Sequence, residues 1–306
     1  MLGENLVPYR TTVVSCVIAG FLLTACDEAP EAAAPPGSTA APSSSAAAAS
    51  SSAAAAAPST VEVDGQSVAV SCSGEPVDGR PVVLLLSGLG DDLTMLADLQ
   101  GTLGESGRAC SYDRLGQGAS DQPSDKQTME DAGTVLTSVI DEVAGDGPVV
   151  LAGHSLGGLI AARYAPDHQD RVAGLVLLDA TTPTTVADAT STIPESATGV
   201  GAQIRAETIG VYGGENPERL VIADGPVRPA GDIPVEVIQH GQQYLAEVPE
   251  YGPELERAWA AGQRAWVAVS TRGNLSIATD SAHHIYKDQP ELVVRAVQRV
   301  VTEAVD

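Results

Sequence analysis

The sequence predicts an α/β fold, a mostly parallel sheet with helices on both faces. Two observations carry this. From Val61 onward, short β-branched runs alternate with stretches of helical spacing, the order produced when helices return the chain between neighbouring parallel strands. Several of those runs are apolar throughout instead of alternating, as expected of strands covered on both sides.

The elements follow in order. Val61 to Val63 and Val68 to Val70 read as an antiparallel pair around Asp64-Gly65, a dipeptide suited to a tight hairpin. Pro81 to Leu86 is a buried strand, Asp91 to Leu103 a helix, and Arg108 to Asp113 the next strand, followed by the glycine-rich loop Leu115 to Ser120. Gln127 to Val143 places Val135, Leu136, Val139, Ile140 and Val143 at helical spacing. Pro148 to Ala152 is a strand that runs into Gly153-His154-Ser155-Leu156-Gly157-Gly158, after which Leu159 to Tyr164 reads as a helix. Val172 to Leu178 and Ile233 to Ile238 are further strands, and Trp266 to Val269 and Leu275 to Ala278 are candidates for the last strand region. Leu292, Ala296 and Val300 share one face of a closing helix. Residues 181–232 form a Thr-, Gly- and Pro-rich insertion of weak periodicity, placed where it could cover a pocket.

The strongest chemical signal is the pentapeptide around Ser155. A serine nucleophile must be presented on a sharp turn, and small residues two before and two after allow that bend; Gly153 and Gly157 hold those positions, with an apolar strand before and a helix after.

The chain begins differently. Val13 to Leu23 is an apolar run after Arg10, too short to span a bilayer and fitting a signal sequence over residues 1–25. It ends in Leu23-Thr24-Ala25-Cys26, which resembles the lipobox of bacterial lipoproteins, and that resemblance implies lipidation at Cys26. The alternatives are an ordinary secretory signal or an uncleaved anchor. Residues 26–60 are dominated by Ala, Ser and Pro, too poor in large apolar side chains to offset the entropy of ordering, and read as a tether to a folded domain over residues 61–306. Together these readings predict an exported domain on the outer face of the bacterial cell membrane.

With Cys16 in the signal and Cys26 as the lipidation candidate, Cys72 and Cys110 remain as an exported pair. A disulfide between them would stabilise the fold by about 4 kcal/mol on the chain-entropy argument; two separate buried thiols are the alternative. Forty acidic against sixteen basic residues give a net charge of −24, a surface that disfavours nucleic acid and anionic headgroups. Membrane attachment would therefore come from the lipid on Cys26, not from a basic patch.

Taken together, the strand order, the Ser155 motif and its flanking loops resemble the α/β hydrolase superfamily over nearly all of Val61 to Val305. The resemblance implies a Ser–acid–His triad and an oxyanion hole of two backbone amides. By position these are Leu156, after the nucleophile, and Leu89 in Ser87-Gly88-Leu89-Gly90, where the family commonly has His in place of Ser87. Tyr112 to Ser120 matches a structural loop of the family. The base matches His283, with the adjacent His284 as an alternative, while His154, His168 and His240 read as structural. The family's usual acid position, just after Ile233 to Ile238, shows only His240-Gly241-Gln242-Gln243. Asp179, at the end of the preceding strand, is therefore the favoured acid, with Glu247 in reserve and Asp280 too near His283 in sequence. The residues show no metal-ligand spacing and the chemistry requires no cofactor. The resemblance implies a serine hydrolase cleaving a carboxylic ester through an acyl-enzyme. A peptidase, haloperoxidase-like chemistry without a cofactor, or a non-catalytic surface lipoprotein are the alternatives.

Overall fold

The computed structural model describes residues 58–305. The signal, Cys16, Cys26 and nearly all of the tether lie outside the described residues. Eight strands form one sheet: β1 (Ser59–Val63), β2 (Gln66–Ser73), β3 (Val82–Leu86), β4 (Ala109–Tyr112), β5 (Val149–His154), β6 (Val172–Leu178), β7 (Pro234–His240) and β8 (Arg272–Ala278). Their spatial order is β1-β2-β4-β3-β5-β6-β7-β8. The first two pairings, β1 with β2 and β2 with β4, are antiparallel, and every later pairing is parallel.

Burial on both faces explains the unbroken apolar strands. Along β3, Leu84 and Leu86 join one core cluster, and Val83 and Leu85 join the other. The first is covered by α2 (Met129–Ala144) and α3 (Leu156–Tyr164), whose Val135, Leu136, Ile140, Leu159 and Ile160 lie within it. On the opposite face α1 (Ala97–Gly104) contributes Leu99 and Leu103 and the closing helix contributes Val293, Val297 and Val300. The start of α2 is set by a capping box, with the Thr128 hydroxyl accepting from the Asp131 amide and the Asp131 carboxylate accepting from the Thr128 amide. At the β1–β2 hairpin, Asp64 and Gly65 both take positive φ, 51° and 80°, as the tight turn demands. Cys72 and Cys110 face each other across the antiparallel β2–β4 pair with Cα atoms 4.1 Å apart, and they form a disulfide.

The insertion at residues 181–232 is more regular than its sequence indicated. It holds α4 (Thr185–Thr192) and α5 (Gly199–Tyr212). Its periodicity is weak because α5 buries only Gly201, Ile204 and Thr208 while leaving Val200 and Ile209 exposed. Residues Trp266 to Val269 are not a strand: Trp266 ends α6 (Gly252–Trp266) and a single 3-10 turn follows. The indole of Trp266 is buried in the core and donates to the Thr181 carbonyl at 3.0 Å, so this short apolar stretch anchors a helix end. Two helices close the chain, α7 (Ile285–Asp288) and α8 (Pro290–Glu303). Among the described residues, no helix is long and apolar enough to cross a membrane.

Candidate active site

Ser155 sits at the junction of β5 and α3 with φ 51° and ψ −119°, a left-handed conformation that costs a non-glycine residue roughly 1–3 kcal/mol and persists only where its surroundings hold it. The flanking glycines make the bend possible by close approach. A Cβ at Gly157 would stand 2.3 Å from the Leu86 carbonyl oxygen, and one at Gly153 would stand 2.4 Å from the Gly157 backbone. The bend is clamped from both sides: the Ser155 amide donates to Leu178 at 3.1 Å, and its carbonyl accepts from the Thr181 amide at 3.0 Å.

Asp179 follows β6 directly, is fully buried and also has positive φ, 44°. Its Oδ2 lies 2.7 Å from His283 Nδ1. Because a carboxylate only accepts, His283 Nδ1 carries the proton of that hydrogen bond and Nε2 is left as the free ring nitrogen. The carboxylate also receives the Trp259 indole N–H at 2.9 Å, the His240 backbone N–H at 3.2 Å and His240 Nδ1 at 2.9 Å. Burial alone would raise the pKa of Asp179, but the hydrogen bonds from His240 and His283 outweigh it and hold the carboxyl well below the ordinary carboxylate range.

His283 lies in the loop between β8 and α7. Its carbonyl is 3.0 Å from His154 Nε2, which fixes the tautomer of His154 with the proton on Nε2. Burial, with the His283 ring beside it, holds His154 well below the ordinary histidine value. His154 is therefore a neutral tie between the serine turn and the His283 loop. His284 is not brought to Asp179; its ring centroid lies 5.2 Å from that of His154, and burial lowers its pKa to about 4. Glu247 lies in the cavity wall, and Asp280 is exposed, its carbonyl bonded to Gln242.

Ser155, His283, Leu89 and Leu156 all line one cavity of about 290 Å³. The rest of its wall is largely apolar and comes from the insertion and from residues 244–259, with Ile204, Val211, Ile222, Leu245 and Leu255 among its contributors. The Leu89 turn is held from behind. Arg114 donates to the carbonyls of Ser87 and Gly88 at 2.8 and 2.9 Å, and Gln117 donates to Gly88 at 2.9 Å. Arg114 is itself locked by a two-pronged pair with the buried Glu218, at 2.7 and 2.9 Å. With those carbonyls engaged, the turn's orientation is fixed from the side away from the cavity. Ser87 bonds the Asp91 carbonyl through its hydroxyl at 3.1 Å and so closes the same turn.

The structure thus brings Asp179 to His283 and gathers Ser155, His283 and both oxyanion-hole candidates around one cavity. Sequence reasoning missed Glu218, Trp259, Glu256 and Tyr244, whose hydroxyl is 3.3 Å from His283 Nδ1. It also read His240 as merely structural. The one available signal was position, since His240 ends β7 where a carboxylate was expected. Among the described residues, no group of three or more His, Cys, Asp or Glu side chains is placed to hold a metal ion.

Residues 81–203 match the family described as alpha/beta hydrolase fold. RutD of Caulobacter segnis, a candidate carbamate hydrolase, is 32% identical over 123 residues, 40% of this chain and 45% of that protein. Lipase LipV of Mycobacterium tuberculosis is 50% identical over 46 residues, 15% of this chain and 17% of that protein. The chain spans less than half the length of these curated relatives. A thermophilic esterase from Thermogutta terrifontis superposes with TM-score 0.56 at 23% identity, covering 82% of this chain and 100% of that one. The enol-lactonase from Burkholderia xenovorans LB400 superposes with TM-score 0.56 at 21% identity, covering 80% and 100%. The sheet order, the strained serine turn and these likenesses agree: the chain has the α/β hydrolase fold.

Proposed function

We propose that the protein is a serine hydrolase that cleaves carboxylic esters with small to medium apolar acyl groups. The observation that carries the reading is the hydrogen bond that the buried Asp179 accepts, at 2.7 Å, from His283, which lines the same apolar cavity as the strained Ser155. Ser155 Oγ attacks the ester carbonyl while His283 Nε2 takes its proton; Asp179 keeps the imidazole in the required tautomer and stabilises the imidazolium. The Leu89 and Leu156 amides receive the oxyanion. His283 then returns the proton to the leaving alcohol, and water repeats the sequence on the acyl-enzyme. No step requires a cofactor. The cavity volume and aliphatic lining support the choice of acyl group.

The domain acts outside the cytoplasm, held to the membrane by a lipid on Cys26. The cysteine motif, the tether and the Cys72–Cys110 disulfide support this location. Turnover of p-nitrophenyl esters of graded chain length by the purified domain tests the reaction, with Ser155→Ala and His283→Ala alongside. Undiminished turnover in Ser155→Ala would refute it. Detergent partitioning of wild type against Cys26→Ala tests the anchor, and equal partitioning would refute that.

A further inference from the structure

We propose that His240 is a positioning residue of the catalytic centre: held as an imidazolium between Asp179 and Glu256, it sets the charge and orientation of the carboxylate that faces His283. The inference rests on the serine hydrolase reading and adds two groups to its machinery, neither of which lines the cavity.

The geometry suits donation by both ring nitrogens of His240. Nδ1 lies 2.9 Å from each Asp179 oxygen, and Nε2 lies 2.7 Å from Glu256 Oε1. Two ionised carboxylates can only accept, so an imidazole satisfying both carries two protons and a positive charge. Removal from water opposes that charge, but the hydrogen bonds to Asp179 and Glu256 outweigh it and raise the group to about pKa 9. His240, Asp179 and Glu256 are all buried, and Glu256 Oε2 has no hydrogen-bond partner among the described residues. No other described residue therefore shares the charge of Glu256.

Every element around the ring is accounted for. Asp179 follows β6, Glu256 and Trp259 come from α6, Tyr244 comes from the turn Tyr244–Glu247, and His283 comes from the β8–α7 loop. The Tyr244 and Trp259 ring centroids lie 4.8 and 6.4 Å from that of His240, and burial keeps the Tyr244 phenol in its protonated form. The charged neighbours are thus two carboxylates about one imidazolium, with a net charge of −1, the same as a lone carboxylate. The sign matters. Without Glu256 the group is neutral and no longer favours the imidazolium that His283 must become. Without the His240 cation the group carries −2 and over-stabilises it.

Opposite shifts in two variants test this. Glu256→Gln keeps an oxygen for His240 Nε2 and removes one charge. The acid limb of its kcat/KM profile should move down by about one pH unit, the scale of a unit charge nearby in a protein interior. Its kcat should fall about tenfold with KM within about twofold. His240→Gln should move the limb up. Histidine 15N NMR supplies a readout independent of turnover: His240 should show two protonated nitrogens between about pH 6 and about pH 8, where an ordinary imidazole loses its proton. A neutral His240 at neutral pH, an acid limb unmoved in both variants, or shifts of one sign in both would overturn the proposal. Ser155→Ala separates the two claims. Turnover that does not depend on Ser155 refutes the hydrolase reading and the positioning role with it. Ser155-dependent turnover with an unmoved limb refutes the positioning role alone.

Discussion

The ends of the parallel strands and the cap above them build the site in different ways. The strand ends supply Ser155, Asp179 and the His283 loop, each placed by sheet register. Asp179, for example, leaves β6 with its amide bonded to Ile238 of the neighbouring β7 at 2.8 Å. The cap supplies Glu218, Trp259 and Glu256, which reach down from residues far away in sequence and hold the strand-end groups in place. Removing a strand-end group should abolish chemistry while sparing the fold. Removing a cap group should loosen the site, with rate and stability falling together.

The largest effect tests the strand-end side. Asp179→Asn should lower kcat by about 10⁴-fold, because a neutral amide no longer selects the His283 tautomer or stabilises its cation; near-normal turnover in this variant, with a comparable loss in Glu247→Gln, would move the acid role to the cap. Next comes the cap's hold on the oxyanion turn. Glu218→Ala leaves the buried Arg114 guanidinium without its partner, which should cost about 3–5 kcal/mol in denaturant unfolding and reduce kcat as well. A stable variant with full activity would show that the Leu89 turn does not depend on the cap. Replacing Cys72 and Cys110 with Ser should cost about 2–4 kcal/mol with little change in kcat per folded molecule, since the bridge joins β2 to β4 away from the cavity.

The smallest effect is the most diagnostic of charge. The His240 cation is raised above the ordinary value of 6.5 to about 9. Its contribution to stability should therefore be full below about pH 6.5, decline between there and about pH 9, and vanish above. Thermal melting of wild type against His240→Gln should show a gap that narrows across that window. A gap independent of pH would mean that His240 contributes shape and not charge.

The same division explains what could be read from the chain alone. Strands buried on both faces, such as Val172–Leu178, announce themselves as continuous apolar runs, and the serine turn has a local spacing rule, so both were legible. Asp179 was legible because it directly follows such a strand. The cap was not, since α6 exposes a polar face and its functional groups act only through contacts across the fold: Glu218 is 104 residues from Arg114, and Trp259 is 80 from Asp179. His240 shows the limit clearly. The sequence placed it beyond a strand ending at Ile238, while the pairing with β8 carries β7 on to His240 itself, and its role depends on two carboxylates that no local pattern connects to it.

The central claim is that Ser155 is an activated nucleophile, and active-site labelling with a fluorophosphonate followed by peptide mass mapping tests it most directly. A single adduct on the peptide containing Ser155, lost in Ser155→Ala and slowed in His283→Ala, is the predicted result. Labelling that persists in Ser155→Ala, or an intact folded protein that takes up no label at all, would contradict it.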